Sequence, residues 1–220
     1  MPQNYRILRI YIGAKLTSGF NLNYVAHIHI GAHTQTSLLG NFLGDFVKGS
    51  QLSHLPYELE KGIRLHRSVD GFTDSHPLMV ESRKLFPTDL RRVSGIIIDI
   101  YCDFLLMKNW QRFSEQPHAM IFEQFYQQLE GFSLPQNHYF CQLSQRLRTH
   151  RWLNKYANPE TCYQAFLSIE KRLNNKIVFA DKAHTFIQKN AQILESRFDQ
   201  FYPECLVHAE QFIQSYQSAR

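Results

Sequence analysis

Residues 62–77 read Gly62-Ile-Arg-Leu-His-Arg-Ser-Val-Asp-Gly-Phe-Thr-Asp-Ser-His-Pro77 and carry an unusual density of polar groups. His66, Asp70 and Asp74 recur at intervals of four residues, so a helix would place all three on one face. Two arginines accompany them, Arg64 and Arg67. Imidazole, carboxylates and guanidiniums in one segment suit a metal ion together with a phosphate. The alternative interpretation is a solvated helix surface with intrahelical ion pairs.

A second stretch, Ile96 to Met107, is apolar on nearly every side, which is typical of a buried helix. Asp99 and Asp103 interrupt it at a spacing of four residues and therefore share one face. Two buried carboxylates repel each other unless a proton or a metal ion lies between them. A metal ion is the simplest explanation. The alternative is that both acids pair with arginines such as Arg64, Arg67 or Arg92.

A further acid, Asp45, lies inside the apolar stripe that runs from Leu38 to Val47. Burial of an ionised carboxylate is costly unless a cation or several donors meet it, so Asp45 is a candidate ligand. An acid at the edge of a helix is the alternative. Apolar stripes at helical spacing continue to the C-terminus, and no sustained alternating pattern follows residue 20. We therefore expect an all-α, single-domain helical bundle.

Length and composition exclude several classes of protein. A chain of 220 residues with 44% hydrophobic and 20% charged residues is typical of one soluble globular domain. No apolar run is long enough to span a membrane, so we expect a cytoplasmic protein that does not bind membranes. Lysine and arginine number 24 against 19 acids, which favours an anionic partner. Because the basic residues are dispersed, we expect an acidic protein partner and no nucleic acid.

The cysteines and the N-terminus indicate little about function. The four cysteines lack C-x-x-C spacing, so we expect reduced, structural thiols. Residues 1–21 fit poorly with the helical pattern, and we expect an N-terminal extension, with the helical domain at residues 22–215. Leu22 is consistent with a non-AUG start codon in an over-long gene model. The oligomeric state is not predicted by these patterns.

The candidate site combines acids and an imidazole from three predicted helices: Asp45, His66, Asp70, Asp74, Asp99 and Asp103. Oxygen-rich ligands with imidazole favour Mn²⁺ or Mg²⁺, with Fe²⁺ as a further candidate. Such an ion activates water and screens a phosphate, while an arginine stabilises the developing charge. The set therefore predicts phosphoester hydrolysis.

Several blocks, in order along the chain, carry a resemblance to a known family: residues 23–29, 40–49, 62–67, 70–77, 99–110 and 197–203. Over residues 22–210 the chain resembles the acyl carrier protein phosphodiesterases. The resemblance implies an all-α enzyme distantly related to the HD (His-Asp) metal-dependent phosphohydrolases. Its reaction would remove the 4'-phosphopantetheine arm from holo acyl carrier protein, a strongly acidic partner. The chain departs from the family at Phe104, where histidine is usual, and it contains no His-Asp dipeptide.

We expect the following roles within that reaction. The metal ligands would be Asp45, His66, Asp99 and Asp103. Arg67 would steady the phosphate, and Asp103 or Asp70 would accept the proton of the attacking water. Secondary candidates are His27, Asp74 and Arg64, with His27 either supporting a ligand or protonating the leaving serine oxygen. Two alternatives are a hydrolase of nucleotides or small phosphodiesters and a non-catalytic helical module that binds an acidic protein.

Overall fold

The computed structural model describes residues 24–218, and within that range the chain is helical, without strands. The prediction of an all-α fold is confirmed. The α-helices are α1 Tyr24–His33, α2 Leu38–Leu43, α3 Tyr57–Ser75, α4 Pro77–Lys84, α5 Ser94–Lys108, α6 His118–Glu130, α7 His138–His150, α8 Glu160–Arg172 and α9 Ala180–Ser218. Two 3₁₀ helices cover Trp110–Arg112 and Trp152–Ala157. The predicted extension of residues 1–21 lies outside the described residues, and the domain boundary stays a prediction.

Helix α3 contains the polar stretch and has clear boundaries. It begins after Pro56, and Glu58 and Glu60 in its first turn interact favourably with the helix dipole. It ends at Ser75 because His76 precedes Pro77 and takes an extended conformation. The Nδ1 atom of His76 then accepts a hydrogen bond from the backbone N–H of Leu78, which caps α4.

Helices α2 and α3 cross at two glycines that bring their backbones together. A Cβ atom on Gly62 would lie 2.8 Å from the backbone of Gly40 and from the amide nitrogen of Asn41. This close crossing brings the loop after α2, which contains Asp45, against α3. Helix α2 ends at Leu43, before the end of the apolar stripe at Val47. Gly49 lies in the following loop with φ +83°, a conformation that favours glycine.

Helix α5 is the buried helix that the sequence predicts, with Ile97, Ile100 and Leu106 fully buried. Its neighbour α9 is 39 residues long and contains Pro203. Phe198, on α9, is buried in the core, as the apolar stripes indicate. No helix among residues 24–218 combines the length and the apolar character needed to cross a bilayer.

Candidate metal centre

Two helices and a loop bring two histidines and two aspartates together. His27 comes from α1, His66 and Asp70 come from α3, and one ligand atom of each lies within 4.8 Å of the others. The Oδ1 atom of Asp70 lies 3.2 Å from His27 Nε2, and its Oδ2 atom lies 3.2 Å from His66 Nε2. Asp45, from the loop after α2, places Oδ1 3.5 Å from His66 Nε2. We call these four residues the His–Asp cluster.

The two imidazole rings of the cluster lie face to face. The ring centroids of His27 and His66 are 3.7 Å apart, with 27° between the ring planes. Gly44 makes room for this arrangement, because a Cβ atom there would lie 2.1 Å from Cγ and Cδ2 of His66. Such a distance is far below an ordinary carbon–carbon contact. The glycine before Asp45 therefore sets how closely the loop approaches the ring.

Several buried polar atoms of the cluster have no hydrogen-bond partner among the described residues. They are Nδ1 of His27, Nδ1 of His66 and Oδ2 of Asp45. Native proteins pair most buried polar atoms, so three orphans in one cluster indicate that a further group binds there. Two imidazoles and two carboxylates are ligands that suit a divalent ion such as Mn²⁺. The residues of the cluster therefore fit the metal that the sequence predicts.

The electrostatics of the cluster show how its negative charge is balanced within the protein. Burial lowers the pKa of His66, but the carboxylates of Asp70 and Asp45 outweigh it and raise that pKa to about 10. Burial and the neighbouring His66 lower the pKa of His27. Burial opposes ionisation of Asp70, but His66 and His27 together hold its pKa well below the usual range. A protonated His66 thus interacts with both carboxylates, as a bound cation would.

Asp99 and Asp74 lie next to the cluster on the side of Asp70. Burial raises the pKa of Asp99 to about 8, and the carboxylates of Asp70 and Asp74 add to this rise. Arg83 on α4 opposes it. Arg83 also pairs with Asp74, with 3.6 Å between Nη1 and Oδ1. The Asp74 residue is exposed. The structure therefore brings Asp99 close to the cluster and leaves Asp74 at its rim.

Asp103 was expected to be a metal ligand or a proton acceptor, but it lies in a different environment. Its fully buried carboxylate accepts hydrogen bonds from the backbone N–H groups of Val25, at 3.1 Å, and Ala26, at 2.9 Å. These are orphan donors of the first turn of α1, so Asp103 caps that helix. It does not belong to the group of close ligand atoms. Asp99 interacts with the charges of α3, whereas Asp103 binds the backbone of α1, so the two acids on this face of α5 have different roles.

The two arginines of α3 hold the loop that carries Asp45. Arg67 donates hydrogen bonds from Nη1 to the carbonyl of Gly49, at 2.7 Å, and from Nη2 to the carbonyl of Val47, at 2.8 Å. Burial lowers the pKa of Arg67, and the neighbouring Arg64 lowers it further. Arg64 pairs with Glu60 on its own helix, with 2.7 Å between Nε and Oε1, and donates from Nη2 to the carbonyl of Ser50 at 3.4 Å. These bonds fix the path of the loop relative to α3.

Two members of the cluster were assigned other roles from the sequence. His27 was a secondary candidate and Asp70 a proton acceptor, whereas both place ligand atoms at the centre of the cluster. The four-residue spacing of His66 and Asp70 was the available signal for Asp70. No local signal identified Gly44, because its role depends on a ring from another segment.

The fold and the cluster define an all-α protein with a buried histidine–aspartate centre, a type of site suited to hydrolytic chemistry. The family model for acyl carrier protein phosphodiesterase matches residues 22–205. A relative of that name from Yersinia pestis is 33% identical over 193 residues, covering 86% of this chain and 98% of the relative. Another, from Enterobacter sp. (strain 638), is 30% identical over 190 residues, with the same coverage. The chain belongs to the acyl carrier protein phosphodiesterase family.

A third relative of the same name, from Yersinia enterocolitica, is 33% identical over 204 residues and also covers 86% of this chain. No solved structure matches the chain. The kinship with the HD phosphohydrolases therefore stays a prediction.

Proposed function

We propose that the chain hydrolyses the phosphodiester that joins the 4'-phosphopantetheine arm to a serine of holo acyl carrier protein, leaving the apo protein. Membership of the family supports the substrate, and the His–Asp cluster supports the chemistry. The observation on which the proposal chiefly rests is the convergence of two buried imidazoles and two carboxylates, in which three further polar atoms have no partner among the described residues. We further propose a cytoplasmic location, which is supported by the free cysteines among the described residues.

The cluster is proposed to hold one divalent cation, Mn²⁺ or Mg²⁺, with Fe²⁺ as a further candidate. The ligands would be His27, His66 and Asp70, with Asp45, whose Oδ1 atom lies 3.5 Å from His66 Nε2, as the fourth. When bound, such a cation screens the phosphate charge and lowers the pKa of water. Asp103 is left out of the ligand set because its two oxygens cap α1.

The protein's own groups are proposed to move the proton and fix the geometry. Burial and the neighbouring carboxylates raise the pKa of Asp99 above its ordinary value, which favours a carboxyl group that exchanges protons. Asp99 lies beside Asp70, so it can take a proton from water or return one to the leaving serine oxygen. Arg67 keeps Asp45 in place through the carbonyls of Val47 and Gly49. Positioning of this kind accounts for a large share of the rate in phosphoryl-group chemistry.

The experiment that tests this function follows the mass of holo acyl carrier protein during incubation with the purified chain and Mn²⁺. We expect loss of one phosphopantetheine arm, and we expect a chelator to prevent it. The variants Asp45→Asn and His66→Gln replace a charged carboxylate and an imidazole by weaker amide ligands, so both should lower turnover at least about a hundredfold. Asp199→Asn, at an exposed acid on α9 that pairs with Arg112, is the matched control and should keep full activity. Full turnover by both cluster variants would exclude the proposed centre.

A further inference from the structure

An open groove of about 500 Å³ runs along the loop that follows Asp45. We call it the lateral groove. Its volume lies within the range of about 300–1,000 Å³ that is usual for clefts that bind small molecules. One wall belongs to the loop between α2 and α3, and the other to the segment that leads into α7. The side chains that matter below are Phe46, Lys48 and Leu55 on the first wall and Leu134, Gln136 and Tyr139 on the second.

The lateral groove begins at the loop that carries part of the His–Asp cluster. Phe46 directly follows Asp45, and Nζ of Lys48 donates a hydrogen bond to the backbone carbonyl of Asp45 at 2.8 Å. The side-chain amide of Asn137 donates to the carbonyl of Phe46 at 3.4 Å and so joins the two walls. The ring of Tyr139 stacks on Phe46, with 6.1 Å between centroids. A molecule in the groove would therefore lie against the same loop that positions Asp45.

The lining of the lateral groove suits a flexible, uncharged chain with a phosphate at one end. Among the described residues that line it, none is acidic, and Lys48 supplies a positive charge at the end next to Asp45. Leu55 and Leu134 offer apolar surface, while Gln136 and Tyr139 offer uncharged hydrogen-bonding groups. A lining of this type suits a narrow, flexible chain with neutral amides, and the lysine suits a phosphate at one end of that chain.

We propose that the lateral groove binds the arm of the substrate, with the phosphate end near Lys48 and the uncharged amide chain along the two walls. This inference rests on the proposed function, and it adds the part of the protein that recognises the arm. The groove would bind the arm equally in the ground state and in the transition state, because no residue of the His–Asp cluster lines it. Its contribution should therefore appear in KM rather than in kcat.

Substitutions that fill the groove test this inference. Gln136→Trp adds bulk at an exposed position, and Leu134→Trp adds it at a half-buried one. We expect both to raise KM for holo acyl carrier protein at least about tenfold while kcat is kept. Hydrolysis of bis(p-nitrophenyl) phosphate with Mn²⁺ should be unchanged, since this small diester does not extend into the groove. Val178→Trp, at a residue that is 68% exposed and outside the groove, is the control and should match the wild type.

Binding of free pantetheine, followed by NMR titration, tests the groove without any turnover. We expect the wild type and Val178→Trp to bind it and Gln136→Trp to bind it at least about tenfold more weakly. Equal pantetheine binding by all three proteins, no binding by the wild type, or an unchanged KM in both groove variants would overturn the inference. Failure of the proposed function has a different signature, because the wild type would then leave the carrier intact whatever the pantetheine titration showed.

Discussion

Replacement of Gly44 by alanine tests the geometry of the His–Asp cluster with a single methyl group. The backbone at Gly44 is helical, with φ −51° and ψ −33°, so alanine introduces no backbone strain. Its Cβ atom would, however, lie 2.1 Å from Cγ and Cδ2 of His66. Ordinary carbon–carbon contacts are about 3.5–4.0 Å, so the ring or the loop must move by about 1.4 Å or more.

A shift of this size is large compared with the tolerance of a metal site, where ligand distances vary by about 0.2 Å. His66 now lies 3.2 Å from Asp70 and 3.5 Å from Asp45. We therefore expect Gly44→Ala to weaken Mn²⁺ binding by about 10–100-fold and to lower turnover by about a hundredfold. The overpacked contact should also cost about 1–3 kcal/mol of unfolding free energy.

The assay is calorimetric titration of the chelator-treated protein with Mn²⁺, together with mass analysis of the carrier product. Gly71→Ala is the matched control, because Gly71 lies on α3 and a Cβ atom there meets nothing within 4 Å. That variant should bind metal normally and gain about 0.5–1 kcal/mol of stability from the better helix former. If Gly44→Ala bound Mn²⁺ and turned over within threefold of wild type, the reasoning about this contact would be refuted.

Three further predictions concern stability, all measured by urea unfolding. Gly62→Ala should lose about 1–3 kcal/mol of unfolding free energy, because its Cβ atom would press on the backbone of Gly40. Unchanged stability would contradict the close crossing of α2 and α3. Asp103→Ala should lose about 1–3 kcal/mol by leaving two buried N–H groups unpaired, and Mn²⁺ affinity should fall with it because the uncapped first turn of α1 carries His27; unchanged stability would contradict the cap. Burial and the neighbouring His33 lower the pKa of His29 to about 4, whereas a histidine in the unfolded chain has a pKa of about 6.5. Between these two pH values the folded state therefore binds fewer protons than the unfolded state. Stability is full above the higher of the two and should fall by about 2 kcal/mol at pH 5, and His29→Gln should flatten this dependence.

The sequence was informative where a feature depends on spacing along one helix. The buried character of residues 96–107 and the shared face of His66 and Asp70 follow from local periodicity, and both are present in the structure. Such patterns state which residues share a face, but not which neighbour meets each part of that face. This is why Asp99 and Asp103 were assigned one role from the sequence, although one lies beside the cluster and the other caps α1.

Features that depend on contact between distant segments could not be predicted in this way. The stacking of His27 on His66 joins α1 to α3, and the contact of Gly44 with His66 joins the end of α2 to α3. Periodicity within each helix carries no information about either contact. Arg67 was expected to face the phosphate, whereas its donors reach the carbonyls of a loop some twenty positions earlier in the chain.

The cap that Asp103 forms on α1 has a consequence for protein engineering. His27 lies one residue after the two amides that this carboxylate holds, so the placement of an imidazole in the cluster depends on a residue of α5. A minimal version of this centre, transplanted into another helical scaffold, would need α5 as well as α1 to α3. A graft that copied only the residues around the ion would leave the first turn of α1 free to unwind and carry His27 away with it.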